Sequence, residues 1–225
     1  MVKYFTIYGE RCSGTNFVER AIIKNFKLEL TWEYDFKHFF GNYKFKEKNR
    51  YNQVLFIGII RSPFEWLPSL YREKHHLPYS ITKDWDSYIN HRFYSIDINT
   101  KKELLEDRNI YNKQKRYKDI IELRYIKNKF LIENMKNKVN NYILLRYEDF
   151  SDRYQLTMNF LKKKYNLVKL HKEIRFINNY KGYGNNISTN DNTYKKKKYF
   201  IPNNILLKIK KKLNKEQEKS LGYVV

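Results

Sequence analysis

Cysteine is all but missing from this chain: Cys12 is the single one in 225 residues. That excludes an internal disulfide framework and a multi-cysteine zinc site. The five histidines show no metal-ligand spacing, and either a strand or a helix would point the neighbours His75 and His76 apart, so no metal is expected. Long apolar runs are missing too; none could span a bilayer. The first residues enter a strand pattern at once, which leaves no room for a signal peptide. These absences read together as a soluble protein of a reducing compartment, cytoplasmic and unanchored. Acidic residues are scarce, with 24 Asp and Glu against 46 Lys and Arg, so the net charge is +22 and the pI about 9.8. Attraction to anions follows, whether nucleic acid, membrane surface or acidic glycan. Charge does not name the partner, because Lys, Asn, Ile and Tyr, all abundant here, share AT-rich codons. Mean hydropathy is low at −0.82, yet 17% of residues are aromatic, enough large apolar side chains for a real core. No internal repeat or composition break marks a second domain, so residues 1–225 are expected to form one.

The informative stretch is Gly9-Glu10-Arg11-Cys12-Ser13-Gly14-Thr15-Asn16. Val2–Tyr8 before it is rich in β-branched and aromatic residues and reads as a buried strand. Phe17–Ile23 after it repeats apolar residues at helical spacing. Strand, glycine loop and helix N-terminus together make either an anion site or an ordinary joint; glycines allow a tight turn and close approach, and the first helical N–H groups have no internal acceptors. The Gly9-x4-Gly14 spacing is that of a Walker A loop. A nucleotide triphosphatase then needs Lys for the phosphates and Ser or Thr for magnesium. Thr15 and Asn16 stand there instead, which weakens a kinase or ATPase reading.

Further along, Leu28–Trp32 reads as a second strand. A loop of mixed polarity follows, containing Lys37 and His38; at a parallel strand's carboxyl end it would face the ligand crevice. His38 is either a partly buried histidine with a backbone partner or a proton acceptor. Residues 42–52 read as an exposed connection. Val54–Ile60 reads as a central strand buried on both faces. It ends at Arg61, and Ser62, Pro63 and Glu65 form a helix start with capping-box spacing. Ser69 falls on that helix, with Pro68, a helix-kinking residue, just before it. Trp85–Phe93 reads as a short helix, 94–113 as polar loop, and Tyr117–Met135 as a long helix with one apolar face. Tyr142–Leu145 reads as a third buried strand, closed by Arg146 and Tyr147. A helix over Ser151–Tyr165 is expected to turn Leu156, Phe160 and Leu161 inward. Lys181 beside Gly182 and Gly184 suggests a second phosphate-facing loop. Lys195–Lys198 is a basic run, and Pro202 opens a helix to about Lys219.

Several of these segments resemble the sulfotransferases that use 3′-phosphoadenosine-5′-phosphosulfate (PAPS). Ser13-Gly14-Thr15-Asn16 after a strand resembles their 5′-phosphosulfate loop, and the Gly-Glu-Arg start is found in some members; Cys12 stands where most carry Lys. Arg61 and Ser69 resemble their 3′-phosphate motif, and Arg146-Tyr147-Glu148-Asp149-Phe150 resembles their Arg-Tyr-Glu-Asp-Leu. The resemblance implies an α/β fold: a three-layer, P-loop-like domain with a mostly parallel central sheet flanked by helices. It implies PAPS as co-substrate without metal, held by Arg11, Cys12, Ser13, Gly14, Thr15 and Asn16 at the 5′ side and by Arg61 and Ser69 at the 3′-phosphate. Phe17 and Tyr147 would lie against adenine, and Lys181 would face a phosphate. Arg11 would stabilise charge on the leaving phosphate and His38 would be the general base. The acceptor would be a hydroxyl or amine on a small molecule or glycan. Two alternatives are a phosphotransferase using the same loop and a basic nucleic-acid or polyanion-binding protein on a degenerate sulfotransferase fold. Polyanion binding by the lysine run is expected to be non-specific.

Overall fold

In the computed structural model, residues 1–74, 76–177 and 200–225 are described. In chain order the elements are β1 (Tyr4–Tyr8), α1 (Thr15–Asn25), β2 (Glu29–Leu30), β3 (Val54–Ile60), α2 (Pro63–Glu73), α3 (Tyr79–Thr82), α4 (Trp85–Asn90), α5 (Ile120–Lys129), α6 (Met135–Lys138), β4 (Tyr142–Arg146), α7 (Tyr147–Asp152), α8 (Tyr154–Tyr165), α9 (Asn203–Lys212) and α10 (Lys215–Ser220). A π turn, Phe130–Asn134, lies between α5 and α6. The expected α/β class is the one found: a four-stranded, all-parallel sheet flanked by helices.

The chain divides into two compact units. Unit 1 is built from Met1–Arg61 and residues 135–177; unit 2 from Ser62–Asn134 and residues 200–225.

Unit 1 holds the sheet, in the order β2-β1-β3-β4. β3 is buried along its whole length, as an uninterrupted Val-Leu-Phe-Ile-Gly-Ile-Ile run requires of a strand covered on both faces. β4 is an end strand of the described sheet, and only Leu145 in it is buried. That corrects the expectation of a third buried strand: an apolar run reports a covered face, not a central position. One continuous cluster gathers Phe5 and Ile7 of β1, Phe17, Val18, Ala21 and Ile22 of α1, Leu55, Ile57 and Ile59 of β3, and Phe150, Tyr154, Met158 and Leu161 beyond β4. The inward face of α8 is Tyr154, Met158, Leu161 and Tyr165. Leu156 and Phe160, expected inward, are 70% and 52% exposed. The helix starts at Tyr154, after α7, and this sets a phase that the tyrosines fill. The 42–52 connection is less exposed than its polarity suggests, because Tyr43, Phe45 and Tyr51 pack edge-to-face among themselves, with Phe45 and Tyr51 also meeting Phe56.

Unit 2 is helical. Ser62 is the N-cap and Pro63 the first residue of α2, which runs through Pro68 to Glu73; the Ser62 side chain makes no capping bond. Asp84 caps α4 by accepting from Ser87 N, and Asp119 caps α5 by accepting from Ile121 N and Glu122 N. The Asp119 cap starts that helix at Ile120, later than its apolar periodicity suggests. The C-terminal helix expected to Lys219 is two helices, because Leu213 and Asn214 leave the helical conformation and the Asn214 side chain caps α10 by accepting from Gln217 N. Among the described residues two ion pairs are buried here: Arg124–Glu218 at 2.6 Å and Lys127–Asp107 at 2.8 Å.

Candidate functional site

The order β2-β1-β3-β4 makes the site's position predictable. Chain leaving β1 turns toward β2, while β3 lies on the other side of β1, so the carboxyl ends of β1 and β3 flank a topological switch point. Gly9–Asn16 follows β1 and Arg61 follows β3. Both glycines of the loop are required by shape. A Cβ on Gly9 would sit 2.7 Å from the Ile59 carbonyl oxygen, and one on Gly14 would sit 2.4 Å from the Tyr147 ring. Gly14 also has φ +101°, a left-handed conformation that side chains resist. Cys12 adopts φ 64° without being glycine, a local strain of about 1–2 kcal/mol. Ser13 closes the turn by donating Oγ–H to the Glu10 carbonyl at 2.6 Å and its N–H to the same oxygen at 3.0 Å. The Gly14 carbonyl accepts from Phe17 N and Val18 N, which starts α1. Among the described residues no carbonyl takes the N–H of Gly14, Thr15 or Asn16, as expected at a helix start. Three adjacent donors at the positive end of an eleven-residue helix are an arrangement that can hold an anion.

The loop after β2 is fastened to this cradle. Gly9 N donates to the Lys37 carbonyl at 3.0 Å, and the His38 ring meets the Gly9 carbonyl through Nδ1 at 2.7 Å. A carbonyl only accepts, so His38 carries a proton on Nδ1, and in the neutral ring the lone pair is then on Nε2. The ring also stands edge-on to Phe36 at 5.6 Å. His38 therefore has the backbone partner of the structural reading and the tautomer that the base reading needs.

Lys37 is the residue that sequence reasoning missed. It is 3% exposed and donates from Nζ to Asn16 Oδ1 at 2.7 Å and to Glu19 at 3.0 Å. Asn16 Oδ1 is thereby occupied, and its amide NH2, which has no partner among the described residues, is the end with donors to offer. The signal was Glu19: a carboxylate beside Val18, Ala21 and Ile22 on the buried side of α1 needs a cation brought to it.

Arg61 is 4% exposed, donates Nη1 to the Cys12 carbonyl at 3.1 Å and lies over the Tyr147 ring with the guanidinium carbon 4.7 Å from the centroid. Tyr147, 3% exposed, opens α7 and packs against both Arg61 and Gly14. Arg11 is buried at 5% beside Glu10 at 8%. The structure thus brings together, in unit 1, Arg11, Cys12, Ser13, Gly14, Thr15, Asn16, His38, Arg61 and Tyr147. Phe17 belongs to the core: 3% exposed, it is stacked on Tyr154 at 5.8 Å and meets Phe150 edge-on at 5.1 Å. Ser69 lies on α2 in unit 2, 5% exposed, and the sequence motif alone carries its expected role. Lys181 and Lys195–Lys198 lie outside the described residues. Among the described residues no group of three or more His, Cys, Asp or Glu could hold a metal ion, and no helix is long and apolar enough to cross a membrane.

Comparison with known proteins finds no matching family model, no similar curated protein and no similar solved structure.

Proposed function

We propose that the chain is a PAPS-dependent sulfotransferase that moves a sulfuryl group to a hydroxyl or amine of a small molecule or glycan. The observation that carries this is the convergence at the sheet's switch point. A glycine-shaped cradle with three free N–H donors after β1, a histidine in the base tautomer after β2, and a buried Arg after β3 all meet around Gly9–Asn16. The cradle fits a tetrahedral anion, and the close approaches at Gly9 and Gly14 are what a backbone needs to reach one.

In this reading the acceptor oxygen or nitrogen attacks sulfur, and the bond from sulfur to the 5′-phosphate oxygen breaks. Negative charge grows on the departing phosphate. The N–H groups of Gly14, Thr15 and Asn16, the Asn16 amide and Arg11 stabilise it; such preorganised donors are the largest single contribution in reactions of this kind. Lys37 supplies the cation that Cys12 does not, one step removed, by fixing the Asn16 amide. His38 Nε2 takes the acceptor's proton. Arg61, held flat on Tyr147 and bonded to the loop at Cys12, is the fork for the 3′-phosphate. Nucleophile activation and leaving-group stabilisation come from side chains and backbone.

Calorimetry with adenosine 3′,5′-bisphosphate and with AMP tests the assignment. The bisphosphate should bind more tightly, and Arg61→Ala should remove most of the difference, since a charge-assisted contact contributes about 1.5–3 kcal/mol. Equal affinities in the unaltered protein would overturn it.

A further inference from the structure

Unit 2 carries a second concentration of charge, unrelated to the motifs above. A cleft of about 590 Å³ is lined by Arg92, Arg108, Lys115, Arg116 and Lys118, with Glu122 the one carboxylate among the described lining residues. Its walls are fixed from below. Phe93 N donates to the Tyr117 carbonyl at 3.0 Å, Tyr117 OH to the Arg108 carbonyl at 3.1 Å, and Asn109 N to the Lys115 carbonyl at 3.1 Å. Phe93 and Tyr117 are fully buried. Asp107, next to Arg108, is anchored by buried Lys127 at 2.8 Å and by the Ser95 hydroxyl.

Two of the guanidiniums are preset. Glu103 accepts from Arg108 Nε at 3.0 Å and from Arg116 Nη2 at 2.6 Å, and Arg116 lies over the Tyr94 ring with its guanidinium carbon 3.7 Å from the centroid. The hydrogen bond from Arg116 holds the Glu103 carboxyl below the usual range, with Arg108 adding to it, so the clamp stays charged at neutral pH. Each guanidinium keeps donors beyond those that Glu103 uses. Like charges gathered in one fixed concavity repel, and the arrangement is stabilised when an anion fills it.

We propose that this cleft is a binding site for a small oligoanion, a molecule carrying two or more closely spaced phosphate or sulfate groups. A single oxyanion would leave most of the volume and most of the cations unused. Planar Arg forks beside mobile Lys ammonium groups suit several tetrahedral oxyanions at once. The inference does not depend on the function proposed for unit 1.

The test is calorimetry on the full chain at ~150 mM salt, where long-range surface attraction is largely screened. The probes are inorganic tripolyphosphate and a fully sulfated tetrasaccharide, which separate phosphate from sulfate as the source. At least one should give saturable binding. Lys115→Glu with Lys118→Glu should weaken it by ~10-fold or more. Lys211→Glu with Lys215→Glu makes the same charge change on exposed lysines of unit 2 outside the cleft and should weaken it less than about 3-fold. No saturable binding of either probe, or equal losses in the two lysine pairs, would overturn the proposal.

Discussion

The glycine-loop site of unit 1 and the cleft of unit 2 hold positive charge in opposite ways. Around Gly9–Asn16 the cations are buried and bonded inward: Lys37 to Asn16 and Glu19, Arg61 to the Cys12 carbonyl and the Tyr147 ring. In the unit 2 cleft Arg92, Lys115, Arg116 and Lys118 are exposed, and one carboxylate, Glu103, serves two guanidiniums. A buried cation repays its desolvation only in one well-fixed geometry. An exposed one tolerates many geometries and is screened by salt. The first arrangement therefore suits recognition of one particular phosphate pattern, and the second suits charge-dense ligands as a class. The net charge of +22 adds both together and distinguishes neither.

The sharpest break between the regions should be in chemistry. His38→Ala should lower sulfuryl transfer by ~10²–10⁴-fold while nucleotide affinity stays nearly constant, read as labelled sulfate leaving PAPS. Turnover within a few-fold of the unaltered protein would remove His38 from the reaction, and collapse of nucleotide binding would make it a structural residue tied to Gly9.

Stability should separate the two clamps next. Glu19→Ala takes the counter-charge from the buried Lys37 ammonium and should cost about 3–5 kcal/mol in urea unfolding. Glu103→Ala releases two guanidiniums into a solvated cleft and should cost about 1 kcal/mol. Equal losses would erase the distinction between a buried and an exposed charge cluster.

The smallest effect lies in alkaline titration of the unit 1 core. Burial pushes the Tyr154 phenol up to about 12, and its hydroxyl donates to the Arg175 carbonyl at 3.0 Å. An unfolded tyrosine ionises near about 10. Its contribution is thus complete below pH ~10 and is lost as pH rises from ~10 through ~12. Tyr154→Phe should flatten the fall in stability over that window by about 1–2 kcal/mol. An unchanged slope would show that Tyr154 does not drive the loss.

Much of the sheet was legible because apolar runs bounded by glycine, proline and charge are a strong local signal: β1, β3 and the loop between β1 and α1 lie where the pattern puts them. Helix phase was less legible. Leu156 and Phe160 read as inward from hydrophobicity, yet Tyr154 and Tyr165 take the buried face because their rings fill the core while their hydroxyls reach the Arg175 and Tyr142 carbonyls. The glycine loop could be picked out because it joins a strand to a helix, whereas Arg61 and Tyr147 were singled out by their resemblance to sulfotransferase motifs; each follows a strand end. Lys37 could not be found alone, since its role comes from Glu19, eighteen residues earlier, and from packing that brings the β2 loop across the loop after β1. The unit 2 cleft was illegible for a similar reason: Arg92 falls in a segment that reads as helix and Arg108 in polar loop sequence, and the Phe93–Tyr117 bridge, buried Asp107 and the Glu103 clamp on Arg108 and Arg116 gather them.

Amide chemical-shift mapping of the full chain with adenosine 3′,5′-bisphosphate tests the central claim most directly. Saturable shifts are expected for the Gly14, Thr15 and Asn16 amides, whose N–H groups have no carbonyl acceptor in the described structure. Shifts confined to Arg108–Glu122, with Gly14–Asn16 unmoved at saturation, would contradict it.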